Sequence, residues 1–301
     1  MNLPRLIARV KTLGNSKSQS PTANLIAFSG GVDSSVVAAI VHRAFPSTAT
    51  AVLGVSNAVH KEQIQLARDV ARSIGIPLHE VATEEGQIPE YVANSGNACF
   101  YCKTELYETL QAVGNHAQHQ SDIEKDMTTD NNKGTVVLFN GTNGDDAQDP
   151  TRVGLVAASN FDVASPLFDM TKDQVREAAR LLSLPNHAHA ASPCLRSRLA
   201  LGVEATESHL RAVEAAERVV RTKLELGVDK NLRVRLLAGG RSAVEIDYDL
   251  LHRVEFVMDD LRDLLKEHGF QNLEARAFKS GSVNGIGGTT GGAPTLHSSP
   301  P

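Results

Sequence analysis

Ser29-Gly30-Gly31-Val32-Asp33-Ser34-Ser35 is where residue types and spacing in this chain point most directly to chemistry. Two adjacent glycines reach positive φ and let a ligand come close to the backbone. Amides at a helix start make an anion site, and the serine hydroxyls add donors. Asp33 is placed to hold a Mg²⁺ that bridges phosphates. No Gly-Lys-Ser/Thr follows, so this is not a Walker A loop.

Thiols supply a second constellation. Cys99-Phe100-Tyr101-Cys102 is a C-x-x-C pair at or just before a helix start, where amides lower a thiol pKa. It reads as a redox dithiol, as half of a zinc site, or as two small buried side chains. Cys194 lies in Ser192-Pro193-Cys194-Leu195-Arg196-Ser197-Arg198, where Arg196 and Arg198 bring positive charge that favours the thiolate. That suits a nucleophile or a metal ligand. Three cysteines also suit three irons of a 4Fe-4S cluster, with the fourth iron open to an external ligand.

Arg233-Val234-Arg235 puts two guanidiniums on one strand face, suited to a phosphate or carboxylate, or simply solvated. Gly141-Thr142-Asn143-Gly144-Asp145-Asp146 follows a strand, where active-site loops sit. Asp145, Asp146 and Asp149 read as metal or substrate contacts or as turn formers. His187 and His189 show no pairing pattern and read as loop residues.

These residues need a scaffold. Asn24–Phe28 reads as a buried strand and Ser34–Ala44 as a helix. Thr50–Val55 and Leu78–Ala82 read as strands flanking an amphipathic helix over His60–Ile74. A helix over Cys102–Val113 precedes a polar stretch, Asn115–Gly134, expected to be a flexible insertion. Thr135–Phe139 is a further strand, and Thr171–Gln174 forms a capping box for a helix running to about Leu184. The alternation predicts a parallel sheet with helices on both faces, binding ligands at the strands' carboxyl ends.

From Thr206 the texture changes to a smaller α+β unit. A long helix ends at Gly227. Strands at Leu232–Leu236 and Val244–Tyr248 alternate with Arg233, Arg235, Glu245 and Asp247, the pattern of a sheet exposed on one side. A helix over Leu251–His268 and a strand over Asn272–Phe278 complete it. The expected division is 1–200, 201–286 and a disordered tail, 287–301.

The 301 residues carry a net charge of −5 with 41% hydrophobic and 22% charged residues, ordinary for a soluble globular chain. That charge argues against a nucleic-acid partner. No apolar run approaches a membrane span. Three cysteines are too few for a disulfide scaffold, which points to a reducing, cytoplasmic setting. The first acidic residue is Asp33, so the basic, Ser/Thr-containing start also suits organellar import, while Leu6–Leu13 reads as a short helix.

The glycine-serine stretch resembles the PP-loop signature, S-G-G-x-D-S, of enzymes that split ATP into AMP and pyrophosphate. With Cys99-Phe-Tyr-Cys102-Lys103, Gly141–Asp146, Asp149, Arg152, Ser165-Pro-Leu167, Ser192–Arg198, Val234-Arg235 and Phe278–Asn284, the chain resembles the LarE family over residues 4–286. These are ATP-dependent sulfur transferases acting in nickel-pincer cofactor synthesis. The resemblance implies a PP-loop (HUP-like) α/β fold with a smaller C-terminal α+β domain, and a homo-oligomer, often a hexamer.

It implies that Ser29, Gly30, Gly31, Asp33, Ser34 and Ser35 bind ATP, with Mg at Asp33. It also implies that Cys194 is the catalytic thiol. Arg233, Arg235, Arg198 and Lys103 would contact a small, nucleotide-like substrate, pyridinium-3,5-biscarboxylic acid mononucleotide. One family branch sacrifices the cysteine matching Cys194. The other holds a 4Fe-4S cluster on three cysteines, and the presence of Cys99, Cys102 and Cys194 together favours that branch. The rivals are a tRNA thiolase, an amide-forming PP-loop ligase of the NAD- or asparagine-synthetase kind, and a non-catalytic nucleotide-binding regulator.

Overall fold

Apolar residues on both faces of a short strand decide the first layer. In β1 (Asn24–Ala27) Leu25 and Ala27 pack to one side while Ile26 packs to the other, so the strand needs cover on both. The computed structural model, which describes residues 2–124, 136–148 and 153–279, supplies that cover. β1, β2 (Ala49–Val55), β3 (Leu78–Ala82) and β4 (Val137–Phe139) form a parallel sheet in the order β3-β2-β1-β4. Helix α1 (Leu3–Leu13), α2 (Val32–Ala44), α3 (Lys61–Ile74) and α8 (Lys172–Leu181) take one face. On the other lie α5 (Ala98–Glu124) and α7 (Gly154–Asn160), while α4 (Pro89–Ala93) and α6 (Gly144–Ala147) are short connectors.

Strand order matters for function. The chain leaves β1 toward β2 and later places β4 on β1's opposite side, so a crevice opens between their carboxyl ends. The loops at 28–31 and 140–143 flank that crevice.

The second unit contains α9 (Glu207–Lys223), β5 (Leu232–Leu237), β6 (Arg241–Ile246), a 3-10 helix at 248–257, α10 (Met258–Lys266) and β7 (Gln271–Ala277). β5 and β6 are antiparallel, and β7 joins β6 in parallel. Its core also takes in Ala58, Tyr91, Ala98 and Leu195 from earlier in the chain.

Several expectations change. The polar stretch from Asn115 is helical as far as Glu124, with no proline in the sequence to interrupt it. Residues 125–135 lie outside the described residues, as do Asp149, Arg152 and the tail from 280. The helix expected over Leu251–His268 begins as a 3-10 helix, with Val254 and Val257 both buried at the spacing three residues per turn keeps on one face. The helix capped by Thr171 stops at Leu181, and Ser183 turns into positive φ. β5 is buried on both faces, not one, since the Cys194 segment covers the arginine side.

Candidate functional site

The PP-loop backbone is shaped before any ligand arrives. Gly30 has φ +70, and an added Cβ there would sit 2.7 Å from the Ala67 Cα, so helix α3 enforces glycine sterically as well as conformationally. Ser29 and Ser34 hydroxyls lie 3.1 Å apart, and the Ser35 hydroxyl donates to the Gly31 carbonyl at 2.8 Å. Among the described residues no side chain caps α2, so its first-turn amides keep their donors for an anion. Gln63 braces the loop from α3, donating to the Ser29 carbonyl at 2.6 Å.

Across the crevice, Gly141 lies so near α2 that a Cβ would fall 2.8 Å from the Ser34 nitrogen. That contact brings Asn143 within reach of Asp33. Asn143 Nδ2 donates to Asp33 Oδ2 at 3.3 Å and to Asp146 Oδ2 at 3.2 Å. Burial first, and then the Asp146 charge, push the Asp33 carboxyl up to about 6, against the pull of Lys172, Asn143 and Arg176. Lys172 Nζ stands 3.3 Å from Asp146. Two carboxylates that resist shared ionisation suit a hard cation taking its other ligands from water and phosphate. Mg²⁺ therefore fits here in donor type and charge.

Asn186 was not expected from the sequence. Fully buried, it donates to the Gly30 carbonyl at 2.8 Å and the Ser35 hydroxyl at 2.9 Å. Arg176 holds the next turn through the His187 and His189 carbonyls. No motif flagged Asn186, and only its position after Pro185 at a helix exit marked it as a turn former.

The thiols form a second focus, near the loop that follows β2. Leu195 N donates to the Ala58 carbonyl at 2.8 Å, fixing the Cys194 turn there. Cys99 is exposed, while Cys102 and Cys194 are half-buried in one apolar cluster with Tyr91. Arg196 reaches the Cys99 Sγ at 2.5 Å and Asn94 Oδ1 at 3.1 Å. Burial lowers the hold of Lys103 and Arg196 on their protons, but nearby phenol and thiol charge more than offsets this, and both end raised.

The helix start does not activate Cys102. Burial, helped by the Cys194 charge, pushes its thiol up to about 12, with only Lys103 opposing strongly. Buried Glu85 lies close by, accepting from Ser56 Oγ at 2.5 Å, and among the described residues its second oxygen and the Tyr91 hydroxyl have no hydrogen-bond partner. Neither was anticipated. Among the described residues no group of three or more His, Cys, Asp or Glu side chains is arranged to hold a metal ion. The three thiols suit an iron–sulfur cluster in chemical type, but as placed they do not form such a group.

Three arginines expected at the substrate face inward instead. Arg198 pairs with Glu217 and with the Pro193 carbonyl, not with the Cys194 thiol. Arg233 donates to the Ala191 carbonyl and lies over the Phe278 ring, 5.4 Å from its centre. Arg235 donates to Glu245 at 2.9 Å and the Ser197 carbonyl at 2.7 Å. Period-2 alternation does not anticipate that residues 191–198 cover this face and accept from both guanidiniums.

Comparison with known proteins agrees with this geometry. Residues 23–96 match the asparagine synthase family, the part carrying the PP-loop, β2, α3 and β3. An uncharacterized protein of Synechocystis sp., slr1717, is 33% identical over 270 residues, covering 87% of this chain and 92% of that protein. A pyridinium-3,5-bisthiocarboxylic acid mononucleotide synthase of Lactiplantibacillus plantarum is 27% identical over 86% of this chain and 88% of its own. A glutamine-hydrolyzing GMP synthase component of Methanopyrus kandleri is 27% identical over 68% of this chain and 65% of its own. No helix among the described residues is long and apolar enough to cross a membrane. With a PP-loop at the β1–β4 crevice and relatives that cover 87% and 86% of its length, this chain belongs to the LarE family of ATP-using PP-loop enzymes.

Proposed function

We propose that the protein transfers sulfur, at the expense of ATP, to a carboxylate of pyridinium-3,5-biscarboxylic acid mononucleotide. The observation that carries this reading is the gathering of Cys194, Cys102 and Cys99 with Arg196 and Lys103 at the same sheet end as the PP-loop. An amide ligase would have no use for that arrangement. The likeness to the Lactiplantibacillus plantarum synthase supports the substrate.

In this reading residues 1–200 activate the carboxylate and residues 201–286 help present the thiol. A substrate carboxylate oxygen attacks the α-phosphorus of ATP, and pyrophosphate leaves against the PP-loop amides and the Ser29 and Ser34 hydroxyls, while buried Ser35 holds the loop's shape. Mg²⁺ at Asp33 would neutralise phosphate charge when bound. Adenylation turns a poor leaving oxygen into AMP. The Cys194 sulfur, having lost its proton, attacks the acyl carbon and AMP departs. Loss of the Cys194 Cα proton with cleavage of its Cβ–S bond leaves dehydroalanine and the thiocarboxylate.

The test is anaerobic purification with iron and sulfide analysis, then one turnover with ATP and the mononucleotide. Thiocarboxylate product and a polypeptide lighter by H₂S support the reading. An intact polypeptide, with iron bound only when Cys99 and Cys102 are present, moves the sulfur source to the cluster branch. Full activity of Cys194→Ala with ammonia in place of sulfur would favour the amide ligase to which the asparagine synthase and GMP synthase matches point. A homo-oligomer is part of the same proposal, measurable by light scattering.

A further inference from the structure

Helix α9 turns an apolar face to the core through Leu210, Val213, Ala216 and Val220, and in the middle of that face stands Glu217, 4% exposed. A carboxylate there is costly unless paired and fully hydrogen-bonded. Both oxygens are taken up. Oε1 accepts from Arg198 Nε at 2.9 Å and from the Val234 amide at 3.0 Å, and Oε2 accepts from Arg198 Nη2 at 3.1 Å. The pairing orients the remaining nitrogen of Arg198. Its Nη1 donates to the carbonyl of Pro193 and, at 3.1 Å, to that of Cys194.

Two further arginines grip the same segment from β5, Arg233 at the Ala191 carbonyl and Arg235 at the Ser197 carbonyl. The backbone on both sides of Cys194 is thus held by guanidiniums, while its thiol stays half-buried. The Cys194 carbonyl also accepts from the Ser197 hydroxyl at 2.7 Å and the Ser197 amide at 3.0 Å, but of the guanidinium clamps the one that ties the Pro193 and Cys194 carbonyls together depends on Glu217. A buried ion pair contributes little net stability compared with apolar residues of similar volume, so stability alone does not account for it. Positions that break the local apolar pattern are where function is expected.

We infer that Glu217 is a positioning residue for sulfur transfer: through Arg198 it fixes the Pro193 and Cys194 carbonyls and so the line along which the Cys194 sulfur meets the acyl carbon. The inference rests on Cys194 being the reacting thiol, as proposed above. Glu217 touches neither nucleotide nor thiol. Its effect therefore falls on the second half-reaction and spares the first.

The experiment uses the full chain as Glu217→Gln and as the double variant Arg198→Met/Glu217→Met. The double change replaces the whole pair with apolar groups, which buried pairs tolerate without loss of folding. Three readouts are taken: ATP-dependent pyrophosphate release, thiocarboxylate formation, and amide hydrogen exchange over 191–199 with iodoacetamide labelling of Cys194. Expected is pyrophosphate release near wild type, transfer turnover down by about tenfold or more at unchanged KM for the mononucleotide, and faster exchange across 191–199. A folded double variant with wild-type transfer overturns the inference, and so does an equal fall in both half-reactions. If the wild-type chain makes no thiocarboxylate, the functional reading fails by itself. Exchange and labelling still decide the clamp, and unchanged rates in both variants would sink it.

Discussion

Asn186 and Ser35 meet across 2.9 Å of buried space, although 151 residues separate them in sequence. The same amide nitrogen holds the Gly30 carbonyl, so one side chain from the far edge of the crevice sets both the glycine turn and the first turn of α2. We expect Asn186→Leu to leave two buried groups unmatched at a cost of roughly 1–3 kcal/mol. Pyrophosphate release should fall by about two orders of magnitude, because small misplacements of a phosphate-gripping loop are expensive. Thermal unfolding together with a pyrophosphate assay checks both halves; a variant with wild-type turnover would show that the loop holds its shape unaided.

Gly141 answers to a different constraint. An added Cβ would stand 2.8 Å from the Ser34 nitrogen and 2.9 Å from the Asp33 carbonyl carbon, and neither backbone atom can swing aside. Gly141→Ala should therefore push the β4 loop off α2 at a cost of about 1–3 kcal/mol and separate Asn143 from Asp33. Denaturant titration gives the stability loss, and weakened Mg²⁺-dependent ATP binding gives the displacement. Unchanged ATP affinity would mean that the Asn143–Asp33 contact is not what shapes the cation site.

His60 lies 3.4 Å from Glu217, a spacing that suggests an ion pair, yet burial pulls the imidazole down to about 4, with Arg198 and Arg233 also opposing its charge. Glu217 and Glu214 pull the other way. Arg198 holds the Glu217 carboxyl below its ordinary range despite burial, so the carboxylate is already matched and the imidazole stays neutral. A base with a depressed folded pKa binds its proton more readily when unfolded. Its contribution is complete above the unfolded value near 6.5 and is lost as pH falls toward 4, by on the order of 2–3 kcal/mol. Urea midpoints between pH 7 and 4.5 should drop more steeply for wild type than for His60→Gln; parallel curves would assign the acid sensitivity elsewhere.

Arg235 pairs with Glu245, which also accepts from Arg276 at 2.7 Å. Arg235→Ala should destabilise by about 3 kcal/mol, the low end for breaking a buried pair, because Arg276 still neutralises the carboxylate. Arg235→Lys should recover part of that. Were the guanidinium chiefly a substrate grip, Arg235→Ala would keep its melting temperature and lose mononucleotide affinity alone, which calorimetry separates.

The parallel sheet, its helices and the PP-loop were legible in the sequence, because each rests on local signals. Apolar runs, a 3.6-residue period and paired glycines are properties of neighbours in the chain. The capping box of Thr171 and Gln174 formed as read, for the same reason. The cysteine segments read as one group from their residue type and the family resemblance, but nothing local says that the first turn of α5 and the turn at Cys194 meet in an apolar cluster with Tyr91 and Leu195.

Tertiary structure decided where the charges went. Arg233 and Arg235 alternate as an exposed strand would, and only the return of residues 191–198 across β5 turns them into clamps on the cysteine loop. Asn186 and Glu217 carry no motif at all; they matter because folding places an amide and a carboxylate where backbone groups would otherwise be buried unpaired. Sequence alone determined which residues can do chemistry, through their functional groups and their nearest neighbours. Which of them face a ligand and which are turned to holding the protein together depends on burial. Burial is set by segments far apart in the chain.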